Sequence, residues 1–331
     1  MGGVAIVIPT WNRRELLAKV LGDLGRQTYP IERVIVVDNG SSDDSAAVAE
    51  RAGAEVIRLE TNRGFAAAVN RGIERATSDW VAVLNNDVAV EADWLERLMA
   101  ALEPGDAWFA TGKLLDAGVR GRMDGSFDAV CRGGCAWKCG HGRLDSEVWN
   151  RGRRIHLAPL TAGVFRSDLF RRAGLLDETF GSYLEDVDFG LRCAERGLSG
   201  LYVPEAIAYH AGSATLGGWH PDTARKISRN QVLLVAKHYP ADWVKRYGWS
   251  VFVAQSLWGF VALRHGTFLS YLAGKFEGIR GFRGWREASE TARAEHGANF
   301  PAIIEESEKE ILELQRETGF DLFWRLYFAL T

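Results

Sequence analysis

Cysteines, long apolar runs and net charge are all scarce in this chain of 331 residues, and each scarcity excludes a class of protein. Four Cys are too few and too unevenly spread for the disulfide framework of a secreted protein. The longest mostly apolar stretch, residues 249–263, is shorter than the roughly 20 residues that span a bilayer. A net charge of −3 does not suit a polyanion-binding protein, so we expect no nucleic-acid partner.

A targeting segment is also missing from the N-terminal stretch GVAIVIPTWN. The stretch is apolar, but it is short, lacks a basic flank and ends in a turn, unlike a secretory signal. We therefore expect a cytosolic protein.

Residues 4–102 alternate between short apolar runs and amphipathic segments. Continuous apolar strands separated by helices predict an α/β fold with a mostly parallel central sheet. The predicted strands are residues 4–9, 33–38, 54–60 and 80–87, and the predicted helices are residues 12–25, a short segment from residue 45, and residues 65–76 and 93–102.

Polar residues follow each of these strands, in the segments 9–12, 38–41, 61–64 and 85–87. Ligands of open parallel sheets bind at the carboxyl ends of the strands, so these segments predict a binding cleft. Ordinary turn chemistry is the alternative for each segment taken alone. The chain has neither a G-x-G-x-x-G fingerprint nor a Walker A sequence, so a dinucleotide cofactor or a P-loop NTPase is not expected.

The segment GSYLEDVDFGLRCAERG places three carboxylates, Glu185, Asp186 and Asp188, at the start of a predicted helix. Carboxylates near an apolar face lose hydration and repel one another, so a function for at least one of them is one interpretation. A solvated first helical turn is the other, with Asp188 and Arg192 forming an i, i+4 ion pair.

Three of the cysteines lie close together in the segment CRGGCAWKCGH. Cys131, Cys135, Cys139 and His141 are the right ligand types for a structural zinc ion, but the usual second pair of ligands is missing. Free thiols in a Gly-rich loop are the alternative, and the sequence does not decide between the two.

Five motifs, in the order VIPTWNR, VIVVDNGSSDDS, NRGFAAAVNRGI, LNNDV and YLEDVDFGLR, resemble those of family 2 inverting glycosyltransferases of GT-A fold, and most closely the rhamnosyltransferase-like branch. They lie between residue 4 and about residue 212. The resemblance implies a GT-A sheet and transfer of a sugar from a nucleoside-diphosphate sugar to a hydroxyl group.

The resemblance also implies which residues bind the donor. The turn after the first strand and Asp38 match positions that hold the base and ribose, and a second loop matches one that closes on the nucleotide. The donor-binding residues so implied are Pro9, Thr10, Trp11, Asn12, Asp38, Asn62, Gly64, Phe65, Asn85 and Asn86.

A divalent metal, Mn²⁺ or Mg²⁺, is a further implication. The D-x-D motif of the family corresponds to Asn85-Asn86-Asp87, in which only Asp87 keeps a carboxylate. His210 matches a histidine that completes the metal site in some relatives; a strand-end histidine bonded to the backbone is the alternative. A carboxylate and an imidazole suit Mn²⁺ and tolerate Mg²⁺.

The Glu-Asp pair of YLEDVDF matches the catalytic pair of the family, with Asp186 as general base. Inverting transfer needs one carboxylate to take the proton of the attacking hydroxyl. Glu185 is expected to orient the acceptor or cap the helix, and Asp188 to pair with Arg192.

The expected partners are a UDP- or dTDP-sugar donor and a saccharide or polyprenyl-linked saccharide acceptor. A non-catalytic sugar-nucleotide-binding protein and a sugar nucleotidyltransferase are alternative functions. A sugar nucleotidyltransferase would show a Gly-rich Thr-Arg loop after the first strand, and this chain lacks that loop.

The domain prediction is a GT-A domain over residues 1–215, with an insertion at about 114–160, and a helical extension over residues 216–331, first basic and then acidic. Trp and Phe at 249–263, with Lys and Arg beside this stretch, predict a helix lying on an anionic membrane surface, at the inner face of the cell membrane. Core or homodimer packing is the alternative for this helix and for the apolar C-terminal tail.

Overall fold

The computed structural model describes residues 2–211 and 219–331, and the predicted domain boundary at residue 215 lies outside the described residues. The strands are β1 (Val4–Thr10), β2 (Arg33–Asp38), β3 (Glu55–Arg58), β4 (Trp80–Leu84), β5 (Val88–Val90), β6 (Phe109–Asp116), β7 (Met123–Gly125), β8 (Asp128–Val130), β9 (Ala136–Lys138), β10 (Arg153–Ile155), β11 (Ala162–Arg166) and β12 (Gly200–His210). The helices are α1 (Arg14–Leu24), α2 (Ser45–Arg51), α3 (Phe65–Arg75), α4 (Trp94–Leu102), α5 (Ser167–Ala173), α6 (Glu185–Glu195), α7 (Pro221–His238), α8 (Trp243–Arg264), α9 (Phe268–Ala288), α10 (Glu290–His296), α11 (Phe300–Thr318) and α12 (Leu322–Leu330).

One large mixed sheet runs in the order β10-β12-β6-β11-β4-β1-β2-β3, with β5 pairing on β12 and β7 on β6. The half formed by β3, β2, β1 and β4 is all parallel, and β6 and β12 run in the same direction, while β11 is antiparallel to both of its neighbours. The prediction of an α/β fold with a mostly parallel central sheet and C-terminal helices is therefore confirmed.

Burial explains why the parallel strands read as unbroken apolar runs. All seven residues of β1 are buried, because helices cover both faces of the sheet. Side chains of β1 such as Ile6 pack with Leu17 of α1 and Trp94 of α4 in one core cluster. Ile35 and Val37 of β2 pack with Ala68 of α3 in a second cluster. The sheet is thus a rigid base from which polar residues extend at the strand ends.

The chain divides into two compact units. Within the described residues, the first unit consists of residues 2–127, 140–193 and 198–211 and contains the large sheet. The second consists of residues 128–139, 194–197 and 219–331 and contains the hairpin β8–β9 and helices α7–α12. Part of the predicted insertion therefore groups with the C-terminal helices.

Helices α7 and α9 approach each other closely within the second unit, and two glycines of α9 allow this. A Cβ atom on Gly274 would lie 2.1 Å from the carbonyl oxygen of Arg225, and one on Gly278 would lie 2.7 Å from Cβ of Val232. The stretch 249–263 forms most of α8, as its helical spacing predicts. Among residues 2–211 and 219–331, no helix is long and apolar enough to cross a membrane.

Candidate active site

The turn after β1 and the segment after β4 meet at the carboxyl edge of the parallel strands. The Asn86 side-chain amide donates a 2.8 Å hydrogen bond to Oγ1 of Thr10, whose side chain is buried. Pro9 and Thr10 pair in register with Val37 and Asp38 of β2, because the two strands are parallel neighbours. Two motifs 76 residues apart are therefore joined directly.

Asn12 connects the β1 turn to the loop after β2. Its backbone N–H donates to Oγ of Ser41 (2.8 Å), and its side-chain oxygen accepts from the N–H of Ser42 (3.0 Å). Ser41 N–H in turn donates to Oδ1 of Asp38 (2.9 Å). The side chain of Asn12 thus bonds this loop, and α1 has no side-chain cap. Both Asn12 and Arg13 have positive φ. Trp11, at the same turn, is 38% exposed.

The loop of Asn62, Gly64 and Phe65 contacts the segment that leads to the acidic helix start. Oδ1 of Asn62 accepts from Gly64 N–H (2.9 Å), and Phe65 N–H donates to Oγ of Ser182 (3.3 Å). Gly64 has φ +89°, and a Cβ atom there would lie 2.7 Å from the carbonyl oxygen of Gly181. Glycine is required on both counts, for conformation and for space.

Asp87, His210 and Asp124 form the most closely built cluster of the site. Nε2 of His210 lies 3.3 Å from Oδ1 of Asp87, and Nδ1 of the same ring lies 2.8 Å from Oδ2 of Asp124. The side chains of Asp87 and His210 are each 12% exposed, and Asp124 is buried. A carboxylate on Nδ1 fixes the orientation of the ring, as in metal-binding histidines, and leaves Nε2 facing Asp87.

Strand pairing brings this cluster together. His210 ends β12 and pairs with Val88 of β5, the residue after Asp87. β12 also lies beside β6, and β6 pairs with β7, which carries Asp124.

Asp116 at the end of β6 accepts hydrogen bonds from the guanidinium of Arg122, which hold the pKa of that carboxyl below its usual range.

Asn85 stands at the end of β4 with its backbone N–H bonded to the carbonyl of Thr161 (2.9 Å). Its side-chain oxygen is buried and has no hydrogen-bond partner among the described residues. A buried polar atom without a partner is energetically costly. This amide oxygen lies two residues before Asp87 in the chain and is a hard donor atom. It is therefore available to a ligand.

The acidic helix start is preceded by two residues in the left-handed region, Tyr183 (φ 73°) and Leu184 (φ 67°). Such conformations are costly for bulky residues and cluster at functional sites. Glu185 is buried, whereas Asp186 is only partly buried. Oδ1 of Asp186 accepts a hydrogen bond from the N–H of Val187 (2.9 Å).

Asp188 is a structural residue, as expected. Its carboxylate accepts from Nε of Arg192 at 2.9 Å and is fully buried, so the pair belongs to the interior and not to a solvated surface. Arg192 also donates to the carbonyl of Leu175 (2.8 Å) and thereby ties α6 to the preceding loop.

A zinc site at the cysteine cluster finds no support in the described residues. Cys131, Cys135 and Cys139 are buried and form no disulfide bond, and burial raises the pKa of the Cys131 thiol to about 12. Nδ1 of His141 lies 2.9 Å from the carbonyl oxygen of Asp124, within the first unit. Across residues 2–211 and 219–331, no three His, Cys, Asp or Glu side chains are arranged to hold a metal ion.

Asp124 is the site residue that sequence reasoning missed. It lies in the Gly-rich insertion, where no periodic pattern links it to β12, and its partner His210 is 86 residues away. Of the other residues that the resemblance implied, the structure brings several into contact. Thr10 contacts Asn86, Asn12 is linked to Asp38 through Ser41, the Asn62–Phe65 loop contacts Ser182, and Asp87 faces His210.

Comparison with known proteins relates the chain to glycosyltransferases. Residues 5–122 match the family model described as glycosyl transferase family 2. An uncharacterized glycosyltransferase of Mycobacterium tuberculosis (strain H37Rv) is 39% identical over 110 residues, which cover 33% of this chain and 48% of that protein. A PGL/p-HBAD biosynthesis glycosyltransferase of Mycobacterium bovis (strain BCG) is 29% identical over 207 residues, which cover 57% of this chain and 68% of that protein.

Two solved structures share the fold. GalNAc-T7, solved with UDP, GalNAc and Mn²⁺, superimposes with a TM-score of 0.60 at 14% identity, over 78% of this chain and 51% of that one. A mannosyltransferase from Pyrobaculum calidifontis, solved with GDP-Man and Mn²⁺, has a TM-score of 0.53 at 16% identity, over 99% of this chain and 86% of that one. These likenesses establish the GT-A fold. The chain matches about half the length of the M. tuberculosis relative.

Proposed function

This chain belongs to glycosyltransferase family 2, and on that premise we propose that it is a metal-dependent inverting glycosyltransferase. It would move a sugar from a nucleoside-diphosphate donor to a hydroxyl of a saccharide or lipid-linked saccharide. The observation that carries the proposal is the Asp87–His210 pair at 3.3 Å, located where the strand ends meet.

The donor set fits a hard divalent cation such as Mn²⁺ or Mg²⁺. A carboxylate oxygen and an imidazole nitrogen converge, and the buried oxygen of Asn85 without a partner lies in the same short segment as Asp87. Asp87 and His210 would hold the ion, and Asp124 orients the ring of His210. When bound, such an ion supplies Lewis-acid stabilisation for the charge that grows on the leaving diphosphate.

Donor positioning falls to the network at the strand ends. Asp38 and Asn12 are fixed to each other through Ser41, and Asn86 is fixed to Thr10, so the walls of a nucleotide cleft are preorganised. The Asn62–Phe65 loop is held against Gly181 and Ser182, which brings the donor side of the cleft next to the segment before Asp186. Preorganised contacts of this kind lower the entropic cost of alignment.

Asp186 is the proposed general base. Its carboxylate is partly exposed, while Glu185 beside it is buried and Asp188 forms a buried ion pair with Arg192. Of the three acids, Asp186 is thus the one with access to solvent and to an incoming hydroxyl. It would take the proton of that hydroxyl as its oxygen attacks the anomeric carbon and the bond to the diphosphate breaks. Glu185 is proposed to orient the acceptor.

A panel of UDP-, dTDP- and GDP-sugars, read by release of free nucleoside diphosphate with Mn²⁺ present, tests the function. We expect turnover of at least one donor, and loss of transfer by about a hundredfold or more in Asp186→Asn, while donor binding stays within a few-fold. Asp168→Asn, an exposed carboxylate on α5, is the matched control. Donor binding without any turnover in the wild type would instead indicate a non-catalytic sugar-nucleotide-binding protein.

A further inference from the structure

Helix α8 carries an apolar stripe that the fold leaves exposed. Trp249, Phe252, Phe260 and Leu263 are between 56% and 67% exposed. They occur at positions i, i+3, i+11 and i+14, which lie on one side of a helix. The opposite side of α8 is buried through residues such as Tyr247 and Ala254, so the helix packs on one side and exposes apolar side chains on the other.

Helix α9 carries a second exposed stripe, which the sequence pattern alone did not reveal. Leu269, Leu272, Phe276 and Ile279 are between 45% and 80% exposed. Their spacing of i, i+3, i+7 and i+10 again places them on one side of the helix. The other side of α9 packs on α7 through Gly274 and Gly278.

The two stripes form one face, because α8 and α9 are an antiparallel hairpin. Tyr271 OH donates to the carbonyl oxygen of Gln255 (2.9 Å) and stands against Gly259, and Nζ of Lys275 donates to the Gln255 side chain. Gln255 and Gly259 of α8 and Tyr271 and Lys275 of α9 therefore mark the sides on which the two helices meet. At 100° per residue, the exposed stripe of each helix lies about a quarter turn from this contact side, in the same rotational sense along both chains. In antiparallel helices, equal offsets in the same sense bring both stripes to the same side.

An exposed apolar face of this size normally marks an interaction surface. Residues 243–288, which include both helices, contain two Glu and six Lys or Arg besides Lys275, which packs inward against Gln255. Without Lys275 the segment has a net charge of +4, in a chain whose net charge is −3. Lys245 lies on the stripe side of α8, Arg264 at its end, and Arg280 beside the stripe of α9; all three are exposed. The surface therefore offers apolar side chains in the middle and cations at the rim.

We propose that the α8–α9 face binds the surface of an anionic lipid bilayer, with both helices lying in the interface plane. The apolar stripes enter the boundary between headgroups and acyl chains, and the cations meet the anionic headgroups. A second copy of the chain fits this face less well, because two-fold pairing would bring two segments of net positive charge together. The inference does not depend on the proposed sugar chemistry.

The test is flotation of the full chain with vesicles, without any sugar donor. We expect the wild type to float with phosphatidylcholine vesicles that contain about one-third phosphatidylglycerol, to bind pure phosphatidylcholine at least ~10-fold more weakly, and to be released as salt rises to about 0.5 M.

Two variants separate the apolar and charged contributions. Phe252→Ser, Phe260→Ser and Phe276→Ser combined should abolish flotation, whereas Lys245→Glu with Arg280→Glu should remove the preference for anionic vesicles. Trp249 and Trp258 are left unchanged, since Trp249 donates to the carbonyl of Leu330 and Trp258 contacts Trp219. Leu144→Ser, a similarly exposed apolar residue of the first unit, is the matched control and should float like the wild type.

Unchanged thermal unfolding would show that the variants are folded. The proposal is overturned if the wild type fails to float with anionic vesicles at low salt, or if the triple Ser variant floats as well as the wild type. It is also overturned if light scattering shows a dimer that the triple variant dissociates, with no vesicle binding by either protein.

Discussion

Asp124 and His210 are joined by a 2.8 Å contact between a buried carboxylate oxygen and the Nδ1 atom of the imidazole. The contact fixes the orientation of the ring. It leaves Nε2 facing Asp87. An insertion of otherwise unassigned role thus supplies the residue that orients the proposed metal ligand.

Asp124→Asn tests this positioning role. The amide keeps the size of the side chain but loses the charge that faces Nδ1. We expect the Mn²⁺ concentration needed for donor binding to rise about 10–100-fold, because removing a hydrogen-bond partner of a metal ligand typically weakens metal affinity by this factor. Titration of Mn²⁺ against donor binding, followed by calorimetry, measures the effect.

Asp168→Asn is the control for this change, because Asp168 is an exposed carboxylate paired with Arg171 and Arg172. It should leave the Mn²⁺ titration unchanged. If Asp124→Asn titrates like the control, Asp124 does not position His210 for metal binding.

Gly64→Ala tests the contact between the nucleotide loop and the Asp186 segment. The substitution meets two obstacles, the positive φ and the carbonyl of Gly181 at 2.7 Å from the new Cβ atom. We expect it to destabilise the protein by about 1–3 kcal/mol and to weaken donor binding, as strain at a constrained position does. Chemical unfolding and donor titration measure the two effects.

Gly53→Ala separates the two obstacles. Gly53 also has positive φ (+80°), but a Cβ atom added there would meet no other atom within 4 Å. It should therefore carry only the conformational cost, about 1 kcal/mol, and leave donor binding unchanged. Equal effects of the two substitutions would show that the Gly64–Gly181 contact is unimportant.

Lys275 makes the stability of the helical unit depend on pH. Burial lowers the pKa of its ammonium group to about 7, from an ordinary value of 10.5. Between these two values the unfolded chain binds the proton and the folded chain does not, so this group makes the free energy of unfolding rise with pH from about 7 to about 10.5. Lys275→Met removes the group and should flatten that rise.

Thermal unfolding of wild type and Lys275→Met across about pH 6–10 checks this, with Lys309→Met, an exposed lysine on α11, as control. A wild-type melting temperature that changes with pH no more than that of Lys275→Met would contradict the burial of an uncharged Lys275.

The fold could be predicted because its determinants are local and periodic. The unbroken apolar runs of β1, β2 and β4 require a sheet covered on both faces. Because these strands are parallel, the polar residues that follow them must lie at the same edge of the sheet. Asp87 and His210 were predicted as a pair from the family resemblance, and the structure brings them together.

Other features depend on tertiary contacts that leave no local pattern. Asp124 reaches His210 only because β7 pairs with β6 and β6 with β12. Asn12 and Glu15 have the spacing of a capping box, yet the Asn12 side chain bonds Ser42 because the β2 loop competes for it. The stripe of α9 was missed since glycines and basic residues interrupt it in the sequence.

The central claim is that Asp87 and His210 hold the metal ion on which donor cleavage depends. Its most direct test is nucleoside-diphosphate release as a function of Mn²⁺ concentration, in the wild type and in Asp87→Ala and His210→Ala, with a chelator as the zero point. We predict activity that requires the metal, with half-saturation shifted to at least ~10-fold higher Mn²⁺ or activity lost in both variants. Activity that persists in the chelator, or titration curves in both variants that match the wild type, would contradict it.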